Sequence, residues 1–190
     1  MAQEITARYL NTKRFIEEKV EEIRAAVGEG TTINALSGGI DSSTVTLLGH
    51  SALGGRLRSV FIENGLMREG EAERVARLFR KLGVQVEVIE AREPFFNALK
   101  GITDPEAKRE AITQTFYREV FGRIVRESGA RFLLQGTILT DVEETVAGIK
   151  RQHNVFEQMG IDPEASFGYR ILEPLVRLRK DGVRKVGRAL

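Results

Sequence analysis

A strand, a glycine loop and a helix follow one another without interruption in residues 32–48. Residues 32–36 have the apolar character of a short buried strand, and an apolar helical face begins at Val45. Between them, residues 37–43 read Ser-Gly-Gly-Ile-Asp-Ser-Ser. This joint predicts that the chain leaves a strand of a sheet through a tight turn and enters a helix at once.

The loop has the composition of an anion site. Gly38 and Gly39 lack Cβ atoms, so a ligand can approach the backbone closely. Peptide N–H groups at a helix N-terminus point towards such a ligand, and the helix dipole favours negative charge there. Ser37, Ser42 and Ser43 add hydroxyl donors. These groups together predict a phosphate-binding loop.

Asp41 indicates which kind of phosphate site this is. A carboxylate repels a phosphate unless a cation lies between them, and Mg²⁺ usually binds one or two carboxylates plus substrate phosphates. Asp41 therefore predicts a metal-bridged polyphosphate. The Walker A loop ends instead in Gly-Lys-Ser/Thr, and no such lysine follows here, which disfavours a P-loop NTPase. The alternative is a simple turn with an Asp or Ser helix cap.

Strand and helix patterns alternate along the chain, which predicts an α/β fold with a doubly wound parallel sheet flanked by helices. Ligands bind such sheets at the carboxyl ends of the strands. We expect the helix over 69–82 to bury Leu78 and Leu82. The other predicted helices cover 9–27, 42–53, about 105–128 and 180–190, and the predicted strands cover 32–36, 57–62, 84–88 and 132–135.

Composition narrows the class of protein. A chain of 190 residues, 42% hydrophobic and 29% charged, is expected to form a single domain. It has no apolar run that could span a membrane, and residues 1–30 lack the apolar core of a signal peptide, so we expect a cytoplasmic protein. It has no cysteine, which excludes disulfides, thiolate metal sites and glutamine hydrolysis by a cysteine of this chain.

The net charge of +2 makes no case for nucleic acid, although basic residues concentrate in 170–190. That concentration is either an anion or RNA surface or, as we expect, the solvated face of a helix.

Several segments in collinear order resemble the ATP pyrophosphatase (PP-loop) superfamily, and specifically the ATP-pyrophosphatase domain of GMP synthase. The loop alone points only to the superfamily, whereas Thr-Asp-Pro-Glu-x-Lys-Arg and Gln-Gly-Thr are far more specific. The matching segments are 37–43, 60–68, 101–109, 135–137 with Asp141 and Glu144, Lys150 with 153–155, 173–175, and 180–184.

The resemblance implies an adenine nucleotide alpha hydrolase-like fold that binds Mg·ATP with its β- and γ-phosphates in the loop. A substrate oxygen would attack the α-phosphate, and pyrophosphate would leave an adenylylated intermediate behind. In GMP synthase the acceptor is xanthosine monophosphate (XMP), aminated by ammonia from a glutaminase that is a separate subunit in some members. A homo-oligomer is also implied.

The resemblance also assigns roles to individual residues. Asp41 and Lys150 are the implied catalytic residues, with the Lys150 ammonium reaching the pyrophosphate. Asp41 and Asp141 are the implied Mg²⁺ ligands, while Asp141, Glu144 and His153 would serve the substrate from a lid over 140–168. For Arg68, Asp141, Glu144 and His153, an ordinary structural or surface role is the alternative. The implied nucleotide-binding residues are Ser37, Gly38, Gly39, Asp41, Ser42, Ser43, Arg68 and Gly136.

The chain departs from the family pattern in the lid and in its length. Thr140 replaces a proline, Gln152 replaces a frequent histidine, the sequence diverges after Val155, and Glu63 replaces an aspartate. We expect 1–190 to be one ATP-pyrophosphatase domain without a glutaminase or C-terminal dimerisation domain. The alternatives are a paralogue that adenylylates a tRNA base or small carboxylic acid, and a non-catalytic ATP-binding module.

Overall fold

Five parallel strands form one sheet in the computed structural model, which describes residues 3–146 and 168–190. The order across the sheet is β3-β2-β1-β4-β5, and each neighbouring pair is parallel. The predicted doubly wound parallel sheet is therefore confirmed. The strands are β1 (Thr32–Leu36), β2 (Leu57–Glu63), β3 (Val86–Glu90), β4 (Phe132–Leu134) and β5 (Arg170–Leu172).

Helices cover both faces of this sheet. On one face α1, α2, α3 and α8 pack over side chains such as Leu36 and Phe61, and on the other α4 to α6 pack over Ile33 and Val60. The alternation follows from the period of two along a strand. The helices are α1 (Thr12–Val27), α2 (Ile40–Leu53), α3 (Glu71–Lys81), α4 (Arg92–Leu99), α5 (Pro105–Gln114), α6 (Gly122–Ser128), α7 (Leu139–Val146) and α8 (Lys180–Ala189).

The long helix predicted over about 105–128 is present but not regular. Asp104 caps it, accepting the Ala107 N–H at 2.8 Å. Between α5 and α6 the residues Thr115–Phe121 form π-helical turns, which the periodicity did not reveal. These turns carry Val120 and Phe121 into the core beneath the sheet.

The predicted orientation of α3 is wrong in part. Leu78 and Leu82 are 55% and 50% exposed, whereas Phe79 is buried together with Ala72 and Val75. The positions 72, 75, 76 and 79 make one helical stripe, and a buried phenylalanine removes more apolar area from water than a leucine. The helix therefore turns its Phe79 stripe to the sheet.

The elements α4, α7 and β5 were not predicted. Each is short, at eight residues or fewer, so a periodic pattern has little length in which to appear. The segment 140–168, expected to be irregular, is helical as far as Val146, while residues 147–167 lie outside the described residues. Every helix in the described part of the chain is too short or too polar to cross a membrane.

The topology places one crevice at the sheet's carboxyl edge. From β1 the chain runs to β2 and β3 on one side, whereas β4 and β5 lie on the other side of β1. The strand order thus reverses between β1 and β4, and the loops that follow these two strands diverge there. The glycine loop follows β1, and Gln135-Gly136-Thr137 follows β4.

Candidate functional site

The glycine loop leaves β1 and becomes the N-terminus of α2, as predicted. Gly38 has φ = 76°, a left-handed conformation that glycine adopts without strain. Gly39 caps the helix, and the Ser43 N–H is bonded to the Gly39 carbonyl at 3.0 Å. The N–H groups that precede Ser43 in this first turn have no carbonyl four residues before them within the helix. They are therefore suited to an anionic ligand.

Serine hydroxyls hold the loop in shape. The Oγ atoms of Ser37 and Ser42 are 3.0 Å apart, and Ser42 Oγ also accepts the Ser37 N–H at 3.2 Å. Ser42 Oγ donates to the Gly39 carbonyl at 3.1 Å. Two of the three predicted phosphate donors are thus engaged within the loop here, where they rigidify it.

The two carboxylate oxygens of Asp41 differ in their partners among the described residues. Oδ2 contacts the ammonium Nζ of Lys180, the first residue of α8. Oδ1 is buried and has no hydrogen-bond partner among the described residues. A buried acceptor left unsatisfied costs about 1–3 kcal/mol, so the position is suited to a bound cation. The chemistry of this oxygen fits Mg²⁺.

Gly136 packs directly against the glycine loop. A Cβ atom there would lie 3.0 Å from the Asp41 carbonyl carbon and 3.1 Å from the Ser42 nitrogen. These are backbone atoms, which cannot move aside as the end of a flexible side chain can. Gly136, a predicted site residue, therefore acts through packing: it lets the chain after β4 support the first turn of α2.

Arg68 is linked to the glycine loop by Glu71, a residue that the sequence analysis missed. Its backbone N–H donates to Glu71 Oε2 at 3.1 Å. The other oxygen of Glu71 lies 3.6 Å from where a Cβ atom on Gly38 would be. The side chain of Arg68 itself is exposed. The sequence shows Gly70 before α3 and acidic residues in the first turn of this helix. It does not show that Glu71 lies close to the glycine loop.

Glu63, the departure from the family's aspartate, shapes the turn that leads to Arg68. Its side chain is buried, and Oε1 accepts the Gly65 N–H at 2.9 Å. The Arg92 Nε atom lies 3.9 Å from the same oxygen. The carboxylate thus serves the turn after β2.

Asp141 and Glu144 lie on α7, which follows Gly136 in the chain. Asp141 is buried, and its Oδ2 accepts the Ile138 N–H at 3.1 Å, so this oxygen caps its own helix. Among the described residues no three acidic or histidine side chains gather into a metal cluster. The predicted lid residues Lys150 and His153 lie outside the described residues.

A chain of buried hydrogen bonds joins the sheet to the glycine loop. Ser59 Oγ on β2 donates to Asn34 Oδ1 on β1 at 2.7 Å, and Asn34 Nδ2 donates to Thr46 Oγ1 on α2 at 2.5 Å. Thr46 Oγ1 then donates to the Ser42 carbonyl at 2.7 Å. Asn34 and Thr46 are fully buried, so this chain fixes the first turns of α2 on the sheet.

We expect Asn34→Ala to lower the free energy of unfolding by about 2–3 kcal/mol, since it deprives the buried Ser59 hydroxyl of its acceptor and opens a small cavity. Urea unfolding measures this. Ser59→Ala, which removes one bond at the far end of the chain, is the matched control and is expected to cost about 1 kcal/mol. Equal stability of Asn34→Ala and the natural protein would show that the chain of bonds has no supporting role.

The basic C-terminal segment is largely bonded within the protein. Carboxylates beside Arg179, from Glu143 at 2.6 Å and Glu4 at 3.3 Å, raise the pKa of its guanidinium. Four cations expected to be solvated thus have intramolecular partners: Arg177 on the Gln3 carbonyl, Arg179 on the two glutamates, Lys180 on Asp41, and Lys185 on the Ala7 carbonyl. Lys180 is the functional candidate that the sequence analysis missed, although its motif had been noticed.

Comparison with known proteins identifies sequence relatives. A family model described as NAD synthase matches residues 9–119. One subunit of the glutamine-hydrolysing GMP synthase of Archaeoglobus fulgidus is 46% identical over 181 residues, covering 95% of this chain and 57% of that relative. Its counterpart in Thermococcus kodakarensis is 48% identical over 179 residues, covering 94% and 56%. The chain spans about half the length of the curated relatives it matches.

Solved structures share the fold at low sequence identity. The NH3-dependent NAD synthetase of Campylobacter jejuni superposes with a TM-score of 0.71 at 14% identity, covering 95% of this chain and 73% of that one. The U34-tRNA thiolase NcsA of Methanococcus maripaludis gives 0.65 at 17% identity, covering 93% and 64%. These likenesses bear on the fold alone.

Proposed function

Because the chain belongs to the NAD synthase family, we propose that it is an ATP pyrophosphatase that activates an acceptor oxygen, in the manner of GMP synthase. The observation that carries the proposal is Asp41, whose buried Oδ1 lacks a partner among the described residues at the N-terminus of α2. A glycine loop, a helix N-terminus and a carboxylate ready for a cation suit a magnesium polyphosphate. The relatives at 46% and 48% identity support XMP as the acceptor.

Different groups around the loop have different roles in binding the nucleotide. The first-turn N–H groups of α2 bind the β- and γ-phosphates, while Ser37 and Ser42 keep the loop rigid. Asp41 would hold Mg²⁺, whose positive charge would neutralise the departing pyrophosphate. Asp141 as a second metal ligand, Glu144 as a substrate residue and the pyrophosphate contact of Lys150 remain predictions, as does the lid over 140–168.

The nucleophile would come from another protein chain. This chain has no cysteine, so ammonia released from glutamine by a cysteine enzyme would be supplied by a separate glutaminase. The relatives are named as single subunits of a glutamine-hydrolysing enzyme, which supports this arrangement. A homo-oligomer and a cytoplasmic location are further predictions that go with it.

Pyrophosphate release from Mg·ATP tests the function directly. The assay is run with and without XMP and with and without ammonium. Release that requires XMP, with GMP formed only when ammonium is present, is the expected result. Nucleotide binding without XMP-dependent release would contradict it. An acceptor screen would then separate a paralogue with another acceptor from a non-catalytic module, because only the paralogue releases pyrophosphate.

A further inference from the structure

The outer face of α3 combines exposed leucines with a row of basic side chains. Leu78 in the helix and Leu82 just after it are 55% and 50% exposed, and residues at this spacing are neighbours on a helix surface. Arg74, Arg77 and Lys81 are exposed beside them on the same side of the helix. The opposite side of α3 is buried against the sheet, so this outer face is the part of the helix that other molecules can reach.

The cations of this row have no partner in the described part of the chain. No side-chain hydrogen bond or ion pair joins Arg74, Arg77 or Lys81 to another described residue. On α1, by contrast, Arg14 and Arg24 each pair with a glutamate of the same helix. The helix dipole favours Lys81 in the last turn of α3, but Arg74 and Arg77 lie before that turn. The row therefore offers positive charge to an acidic ligand.

The edge strand β3 adds a third apolar side chain to this side of the domain. Val86 packs into the core beneath α3, and Val88, two positions later, points to the same face of the sheet. Val88 is 41% exposed, because β3 is the last strand on its side of the sheet. Large apolar side chains that are exposed together and bordered by charge are typical of protein-binding surfaces.

The charges on this side of the domain favour one kind of partner. A second copy that packed the same face against it would oppose arginine with arginine, and like charges repel. A flat anionic membrane would also meet Glu87 and Glu90 of β3, which are 48% and 65% exposed. Single-stranded nucleic acid stacks on aromatic rings, and the exposed residues of α3, all of which the structure describes, include none. A narrow acidic element with an apolar stripe matches both the leucines and the cations.

We propose that the outer face of α3 is a docking site for an acidic helix of a partner protein. Leu78 and Leu82 contact apolar residues spaced three and four positions apart on that helix, and the basic row pairs with Asp or Glu residues beside them. Because α3 begins at Glu71, close to the glycine loop, the partner lies next to the candidate site. This inference goes beyond the proposed function and does not depend on the acceptor.

Two stapled helical peptides of identical composition test this chemistry on the full chain. The first has leucines at every third and fourth position with glutamates beside them. The second has the same residues rearranged so that the leucines are spread around the helix. In fluorescence anisotropy the first is expected to bind at least about tenfold more tightly, because the two peptides share their charge and only the first has an apolar stripe. Equal binding would show charge attraction alone and would overturn the inference.

Variants of the surface locate the binding. Leu78→Gln and Arg77→Glu are each expected to weaken binding of the first peptide at least about tenfold, through a lost apolar contact and a reversed charge. Arg123→Glu is the matched control, because it makes the same charge change at an exposed position of α6, on the other face of the sheet. It is expected to change the affinity by less than about twofold. An equal loss in Arg123→Glu would overturn the inference, as would full affinity in Leu78→Gln.

Two further measurements test the other occupants. Light scattering is expected to give the same mass for the natural chain and Leu78→Gln, and phosphatidylserine vesicles are expected not to sediment the natural chain. Self-association that Leu78→Gln abolishes would assign this face to a second copy, and vesicle binding that Arg77→Glu abolishes would assign it to a membrane. Either result would overturn the inference. Neither measurement uses ATP or an acceptor, so the proposed function is tested separately by pyrophosphate release.

Discussion

Replacing Asp41 with alanine is expected to reduce pyrophosphate release about a thousandfold, while the melting temperature changes by no more than a few degrees. Loss of the proposed metal ligand would remove about 4 kcal/mol of charge stabilisation from the reaction. The fold loses only a half-exposed ion pair with Lys180, and it also loses a buried oxygen that had no partner among the described residues. The measurement pairs a pyrophosphate-release assay with thermal unfolding.

Asn11→Ala is the matched control, because it should give the reverse pattern. Asn11 caps α1 by accepting the Arg14 N–H at 3.1 Å, far from the loop in the chain. Its loss is expected to cost about 1 kcal/mol of stability and to leave pyrophosphate release unchanged. If Asp41→Ala retained more than about a tenth of the natural rate, the metal would have to be held elsewhere.

Gly136→Ala is expected to weaken magnesium pyrophosphate binding at least about tenfold and to lower the free energy of unfolding by about 1–3 kcal/mol. The added methyl group would be 3.0 Å from the Asp41 carbonyl carbon and 3.1 Å from its oxygen. Because both are backbone atoms, the first turn of α2 must shift, and the N–H groups that we propose as phosphate donors shift with it. Calorimetry and urea unfolding measure the two effects.

Gly55→Ala is the control for this change. No atom of the described residues lies within 4 Å of a Cβ atom built on Gly55, and its φ is not positive, so the same methyl group meets no obstacle among them. We expect both affinity and stability to stay close to their natural values. Full affinity in Gly136→Ala would mean that the chain after β4 yields easily and does not support the loop.

Secondary-structure elements with a long or clearly bounded sequence pattern were predictable from the sequence. β1 begins and ends at the predicted residues, 32 and 36, because a buried parallel strand is bounded here by turns. The helix predicted from about residue 105 begins at Pro105, where Asp104 caps it, since capping needs only residues three positions apart. The elements β5 and α7 were missed because three to eight residues carry too little periodicity. Leu78 was wrongly predicted to be buried, because its spacing from the other apolar residues of α3 is compatible with a core position.

In the candidate site, the residues of the glycine loop were predictable from the sequence, whereas their partners from distant parts of the chain were not. The loop at 37–43 is local, so its glycines, its serines and Asp41 could be identified from adjacent residues. Lys180 is 139 residues away from Asp41 in the chain, and its position within a basic run favoured a solvated role. Glu71 was missed for the same reason, because only the packing of α3 brings its carboxylate close to Gly38.

By itself, the sequence determined a doubly wound α/β fold and a glycine loop that carries serines and a carboxylate at the start of a helix. Both depend on residues close together in the chain, whose spacing carries the information. Only the tertiary structure decided which partners meet Asp41. Parallel sheet order brings the loop after β4 against α2, and the packing of α8 on α2 delivers Lys180. Such contacts arise from helix and strand packing across long separations, which no local pattern records.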